Sequence, residues 1–80
     1  MYEHIRAFML DDIKENGKKK CVIAEKMGYA DSGLYGFLNG NLEPSKRFLE
    51  CIADYYGMAV VYYKGEYRIV KGEHYADSSN

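Results

Sequence analysis

The chain has 80 residues, 48% of them hydrophobic, and a formal net charge of -1. That length builds one domain around one modest core, and the hydrophobic share excludes a disordered chain. No apolar run approaches the ~20 residues of a membrane-spanning helix, and a pI of 6.1 lacks the basic signature usual in nucleic-acid-binding domains.

The opening segment, MYEHIRAFML, lacks the basic-then-apolar layout of a signal peptide, so a cytoplasmic protein is expected. The first helix is predicted over about residues 2–15. Ile5, Met9 and Ile13 recur every four residues, and Phe8 and Leu10 widen the stripe. Asp11 and Asp12 are expected to face water. Asn16-Gly17 is a helix stop. Lys18-Lys19-Lys20 leads into a second helix over about 19–27, where Ile23 and Met27 share a face with Ala24. Lys19 stands at its N-cap, where lysine accepts no hydrogen bond and its charge opposes the helix dipole. Gly28 ends this helix and Tyr29-Ala30 make a turn. The third helix is predicted over about 32–39, capped by Asp31 or Ser32, with Leu34, Phe37 and Leu38 inward. Gly33 and Gly36 lie within it, each costing ~1 kcal/mol relative to alanine.

After Gly40 the segment Asn41-Leu42-Glu43 is a connector. Pro44 marks a boundary and Ser45 is an N-cap for a fourth helix over about 45–56. Phe48, Leu49, Ile52, Ala53 and Tyr56 form its stripe, and Gly57 closes it. The period then changes. VVYYKGEYRIV reads as a β-hairpin, strands about 59–63 and 66–70, turning at Lys64-Gly65. That turn pairs Tyr62 with Tyr67 and Val60 with Ile69 on one face, which is expected to pack on the helices. Val61, Tyr63, Glu66 and Arg68 hold the other face. Residues 71–80 are polar and aperiodic, and a flexible tail is expected there.

Cys21 and Cys51 are the only cysteines, no CxxC is present, and His4 and His74 lie near opposite ends. Two small, partly buried thiols are the expectation, with no metal site, no disulfide and no cofactor.

Two short helices joined by a glycine turn, each with one narrow apolar face, make a helix-turn-helix. IAEKMG, then a short helix, NG, PS and IADYYGM resembles the phage repressor and Cro family, also called XRE or lambda-repressor-like, over roughly residues 18–58. The resemblance implies a mainly α, four-helix domain that inserts its third helix in the major groove of double-stranded DNA. Carried over position by position, the base-facing residues are Asp31, Ser32, Tyr35 and Gly36. Ser32 donates or accepts, Asp31 accepts from a cytosine amino group, and Tyr35 meets a thymine methyl or a phosphate. Neither arginine nor glutamine stands there for a bidentate base contact, unlike the family's usual set. Gly36 either lets the backbone approach DNA or marks a surface that binds none. Lys18, Lys19, Lys20, Asn39, Asn41, Lys46 and Arg47 are the phosphate candidates. About six such contacts give a salt slope of roughly -5 per monomer.

A single helix-turn-helix reads one half-site, so a homodimer is expected. By the same resemblance the hairpin is the dimer candidate through Val61, Tyr63 and Arg68, although a hairpin that only closes the core gives the same pattern. Tyr55, Tyr56, Tyr62 and Tyr67 are expected in packing, while Tyr63 and Tyr75 are free for a surface or interface. The function implied is a cytoplasmic transcription regulator, phage-like and repressor-like, needing no small-molecule ligand. The alternative is a protein-interaction module on the same fold, antirepressor- or antitoxin-like. An enzyme ranks third: Asp11, Asp12, Glu15 and His4 lie near one helix, but a chain this short offers no large apolar pocket.

Overall fold

Apolar residues spaced for two different periods divide the chain into helices and a hairpin. The computed structural model describes residues 1–71. It contains α1 (Glu3–Asn16), α2 (Lys20–Met27), α3 (Asp31–Leu38), α4 (Lys46–Tyr56), β1 (Met58–Tyr63) and β2 (Glu66–Lys71). This is a mainly helical domain with a two-stranded antiparallel hairpin at its C-terminal side. The predicted tail after Lys71, with His74 and Tyr75, lies outside the described residues. Lys71 itself belongs to β2, paired with Met58. Among the described residues no helix is long and apolar enough to cross a membrane.

The core takes residues from every helix and one strand. Ile5 and Met9, then Ile23, Ala24 and Met27, then Leu34, Phe37 and Leu38 meet Phe48, Leu49, Ile52 and Ile69. Phe8 widens the α1 stripe by an edge contact to Tyr56 at 4.9 Å, whereas Leu10, on the opposite flank, is exposed.

The turn from α2 to α3 is made by two backbone bonds. The Gly28 N–H donates to the Glu25 carbonyl at 3.0 Å and the Tyr29 N–H to the Ala24 carbonyl at 2.9 Å. This closure requires a left-handed residue, and Gly28 adopts φ 74°. The same pair of bonds ends α3, from Gly40 to Phe37 and from Asn41 to Gly36. At the start of α4 the Ser45 hydroxyl accepts from the Phe48 N–H at 3.1 Å, the predicted cap.

The hairpin register is the predicted one, Val60 opposite Ile69 and Tyr62 opposite Tyr67. Lys64 (φ 50°) and Gly65 (φ 84°) both take left-handed conformations, as a two-residue turn between twisted strands demands. The packing face is shorter than predicted. Ile69 is buried and Val60 and Tyr67 pack on the core, but Tyr62 stays exposed. Its ring keeps only an edge contact with Tyr67, at 4.8 Å.

The N-terminus covers one edge of the hairpin. The Tyr67 N–H donates to the Met1 carbonyl at 2.9 Å, and the Ile69 N–H to His4 Nδ1 at 3.2 Å. The His4 N–H returns a bond to the Glu66 carboxylate at 3.0 Å. Outward N–H groups at residues 67 and 69 place their opposite numbers, Tyr62 and Val60, with peptide groups on the far edge.

Two expectations about polar and small residues are corrected. Asp12 does not face water: its side chain is 14% exposed and bound by three donors. Cys51 is partly buried, but Cys21 is exposed on α2, because that helix turns Ile23, Ala24 and Met27 inward instead.

Candidate nucleic-acid interface

α3 has eight residues and its period sorts them into two sides. Leu34, Phe37 and Leu38 point to the core, so Ser32, Tyr35, Gly36 and, just past the helix, Asn39 fall on the opposite side. Asp31, Ser32, Tyr35 and Asn39 are exposed. Asp31 begins the helix and Ala30 precedes it, with no side-chain cap bond from either Asp31 or Ser32. The predicted cap is absent because both residues lie inside the first turn, where their side chains project outward.

The two glycines of α3 answer to packing. A Cβ on Gly33 would lie 3.1 Å from the Tyr29 ring, which sits over Phe48 at 4.5 Å. A Cβ on Gly36 would lie 2.7 Å from Leu42 Cγ. The predicted base-facing position 36 is therefore covered by the Leu42 side chain. It is neither a bare backbone nor an empty surface. Each glycine costs ~1 kcal/mol in helix propensity and leaves room for a neighbouring side chain that a Cβ would displace. The C-terminus of α3 is anchored from afar. Arg6 Nε donates to the Phe37 carbonyl at 2.8 Å and the guanidinium lies 5.1 Å over the Phe37 ring. A cation there also favours the helix dipole.

The lysine run splits. Lys20 Nζ lies 5.6 Å over the Tyr35 ring, so the start of α2 and the outward side of α3 share one surface. Lys19 is exposed and leaves the α2 N-cap unsatisfied, as its chemistry predicts. Lys18 turns the other way. Its ammonium pairs with Asp12 at 2.8 Å, between the Tyr55 and Tyr56 rings at 5.4 and 5.6 Å. Of the three lysines it is thus the one taken from the phosphate candidates, because a carboxylate one helix away already holds it.

Tyr56 Oη and Asn16 Nδ2 complete this cluster, donating to Asp12 at 2.9 and 2.6 Å. Burial pushes the Asp12 carboxyl up, but the hydrogen bonds from Lys18, Tyr56 and Asn16 outweigh it and hold it below its ordinary value. The bond to Asp12 raises Lys18 against the opposing effect of burial. Tyr56 is raised strongly, first by burial and then by the adjoining carboxylate.

Of the remaining phosphate candidates, Asn39, Asn41, Lys46 and Arg47 are all exposed. Lys46 borders a different feature, a cleft of about 410 Å³ lined by Tyr2, Pro44, Leu49, Ala53, Val60 and Tyr67. On the hairpin, Tyr63 and Arg68 are exposed and Val61 is half-buried. Lys64 Nζ lies 5.3 Å over the Tyr63 ring, and Arg68 Nη2 is 3.8 Å from Glu66. Among the described residues no three His, Cys, Asp or Glu side chains converge as a metal site would require.

Sequence reasoning missed Leu42 and Arg6 and placed Asp12 in water, where the structure shelters it. No periodic signal reports a bond between residues as distant as Arg6 and Phe37, and Leu42 reads only as part of a connector. Glycine at both 33 and 36 of a short helix is the one trace in the sequence that something must pack there. Compared with known proteins, the chain matches no family model, no curated protein and no solved structure.

Proposed function

We propose that this chain is a small DNA-binding regulator of the phage repressor and Cro type, with a lambda-repressor-like fold, acting as a homodimer. One observation carries the reading: Lys20 of α2 lies over Tyr35 of α3, so a free cation and the outward side of the second motif helix form one surface. In a helix-turn-helix the second helix enters the major groove while the first crosses the backbone. Ser32, Tyr35 and Asn39 would meet base edges or nearby phosphates, Asn41 would hydrogen-bond a phosphate, and Lys19, Lys20 and Arg47 would neutralise the backbone. Without Lys18 these three cations give a salt slope of about -2.7 per monomer.

The dimer would form through the hairpin. The edge of β1, with the peptide groups of Val60 and Tyr62, takes no backbone bond from another element among the described residues. Exposed edges pair with further strands, and Tyr63 and Arg68 would flank such a junction. Sedimentation at high micromolar concentration tests this: a monomer there removes the dimer.

A specific observation favours the second reading, a protein-interaction module. Val22, Tyr35 and Leu42 are all large, apolar and exposed on the motif. Fluorescence anisotropy with random duplex DNA separates the two. Micromolar binding that weakens with salt supports the regulator. No binding at ~50 mM salt, where electrostatic contacts are strong, leaves the interaction module.

A further inference from the structure

Position 36 lies midway along the outward side of α3, and its glycine brings no side chain. The chain fills the gap from elsewhere. The N–H groups of Asn41 and Leu42 both donate to the Gly36 carbonyl, at 2.8 and 3.1 Å. These bonds fold the segment after α3 back along the helix and lay the Leu42 side chain over Gly36. Leu42 is not buried by this; it remains 51% exposed. The other side chains on that side of the helix, Ser32, Tyr35 and Asn39, all carry polar groups. Leu42 is thus the one purely aliphatic group there, held by backbone bonds.

We propose that Leu42 reads the base at this position and that its target is the 5-methyl group of a thymine. The inference rests on α3 being the groove-binding helix. In the major groove a base pair offers hydrogen-bonding atoms and a single apolar feature, the thymine methyl. An aliphatic side chain fixed on the groove side of the helix has no other base feature to bury against. Glycine at 36 is what makes room: a Cβ there would lie 2.7 Å from Leu42 Cγ and push the side chain aside. Gly36 is accordingly a positioning residue, acting through Leu42.

The test begins with selection of bound duplexes from a random pool. Each thymine of the selected site is then replaced singly by deoxyuridine, which removes only the methyl group. One thymine per half-site should be methyl-sensitive, with the wild type binding the deoxyuridine duplex about fourfold more weakly, the worth of one buried methyl-sized group. Leu42→Ala should bind the two duplexes equally. Gly36→Ala should do the same while keeping its helical circular dichroism. Either variant retaining the full methyl sensitivity, or a wild type with no methyl-sensitive thymine, overturns the assignment while leaving DNA binding intact. A pool from which nothing is bound fails earlier, at the DNA-binding reading, and takes the assignment of Leu42 with it.

Discussion

Lys18 and Lys20 stand two residues apart and meet opposite surroundings. Lys18 joins a seam between α1 and α4, where Asp12 collects bonds from Lys18, Tyr56 and Asn16. Lys20 lies on the outer surface of α2 and α3, over the ring of Tyr35. In the seam, polar groups are matched to one another and partly sheltered from water. On the motif surface they are left available. A charge whose hydrogen bonds are satisfied inside the protein stabilises the fold but offers nothing to a ligand. Lys20 is as half-buried as Lys18 but has no acid partner among the described residues, so its charge contributes little to stability and is free to release counterions on binding a phosphate.

The largest effect is expected where the motif meets the core. Leu34→Ala removes a fully buried side chain that holds the glycine-weakened α3 in place. Urea denaturation should show a loss of about 2–5 kcal/mol. A loss under about 1 kcal/mol would mean that α3 is held by its backbone bonds instead, and the two regions would be less distinct than they look.

The seam is tested next by Asp12→Asn, which leaves Lys18 and Tyr56 without their acceptor's charge and should cost about 1–3 kcal/mol at neutral pH. The pH dependence follows from the directions of the shifts. Asp12 is depressed in the fold, so its stabilisation is present above the unfolded value of ~3.9 and lost as pH falls through the lower folded one. Lys18 is raised, so its share is present below the unfolded value of ~10.4 and lost as pH rises through the higher folded one. Asp12→Asn should therefore flatten the acid limb of the stability curve, whereas Lys18→Ala should remove only part of the alkaline limb, because Tyr56 is raised as well and loses its stabilisation in the same direction. A wild-type acid limb that survives in Asp12→Asn assigns it to other carboxylates.

The direct comparison is between Lys18→Ala and Lys20→Ala. Lys18→Ala should lower the unfolding midpoint and leave the salt slope of the proposed DNA binding unchanged. Lys20→Ala should shift stability by less than about 0.5 kcal/mol and reduce the salt slope by about 0.9. Equal salt slopes in the two variants would show that Lys18 leaves Asp12 for the ligand.

The smallest effect is expected at the hairpin turn, remote from both regions. Lys64 holds a positive φ that asparagine tolerates better. Lys64→Asn should raise stability by about 0.5–1 kcal/mol, read as a higher thermal midpoint. No change would place the strain of that turn elsewhere.

Much of this was legible in the chain itself. Ile23, Ala24 and Met27, then Gly28, then Leu34 and Phe37 define two short helices and their turn, because helical period and a left-handed glycine are local properties. Val60 and Tyr62 found their partners in the same way, since a two-residue turn fixes the register. Ser45 announced its own cap. The ends of elements were less exact: α3 begins at Asp31, where the side chain was expected to cap rather than to join the helix.

What the sequence determined by itself is the order of the elements, their inward residues and the hairpin pairing, all set by interactions within a few residues or across one tight turn. Only the tertiary structure decided which charges are free and what fills the outward side of α3. Lys18 and Lys20 read alike until Asp12 and Tyr56 arrive from other helices. Gly36 reads as blank until the backbone after α3 folds Leu42 across it. Periodicity reports which way a residue faces along its own helix. The neighbours that another segment brings to it are fixed by packing, and in this motif those neighbours decide what the surface can bind.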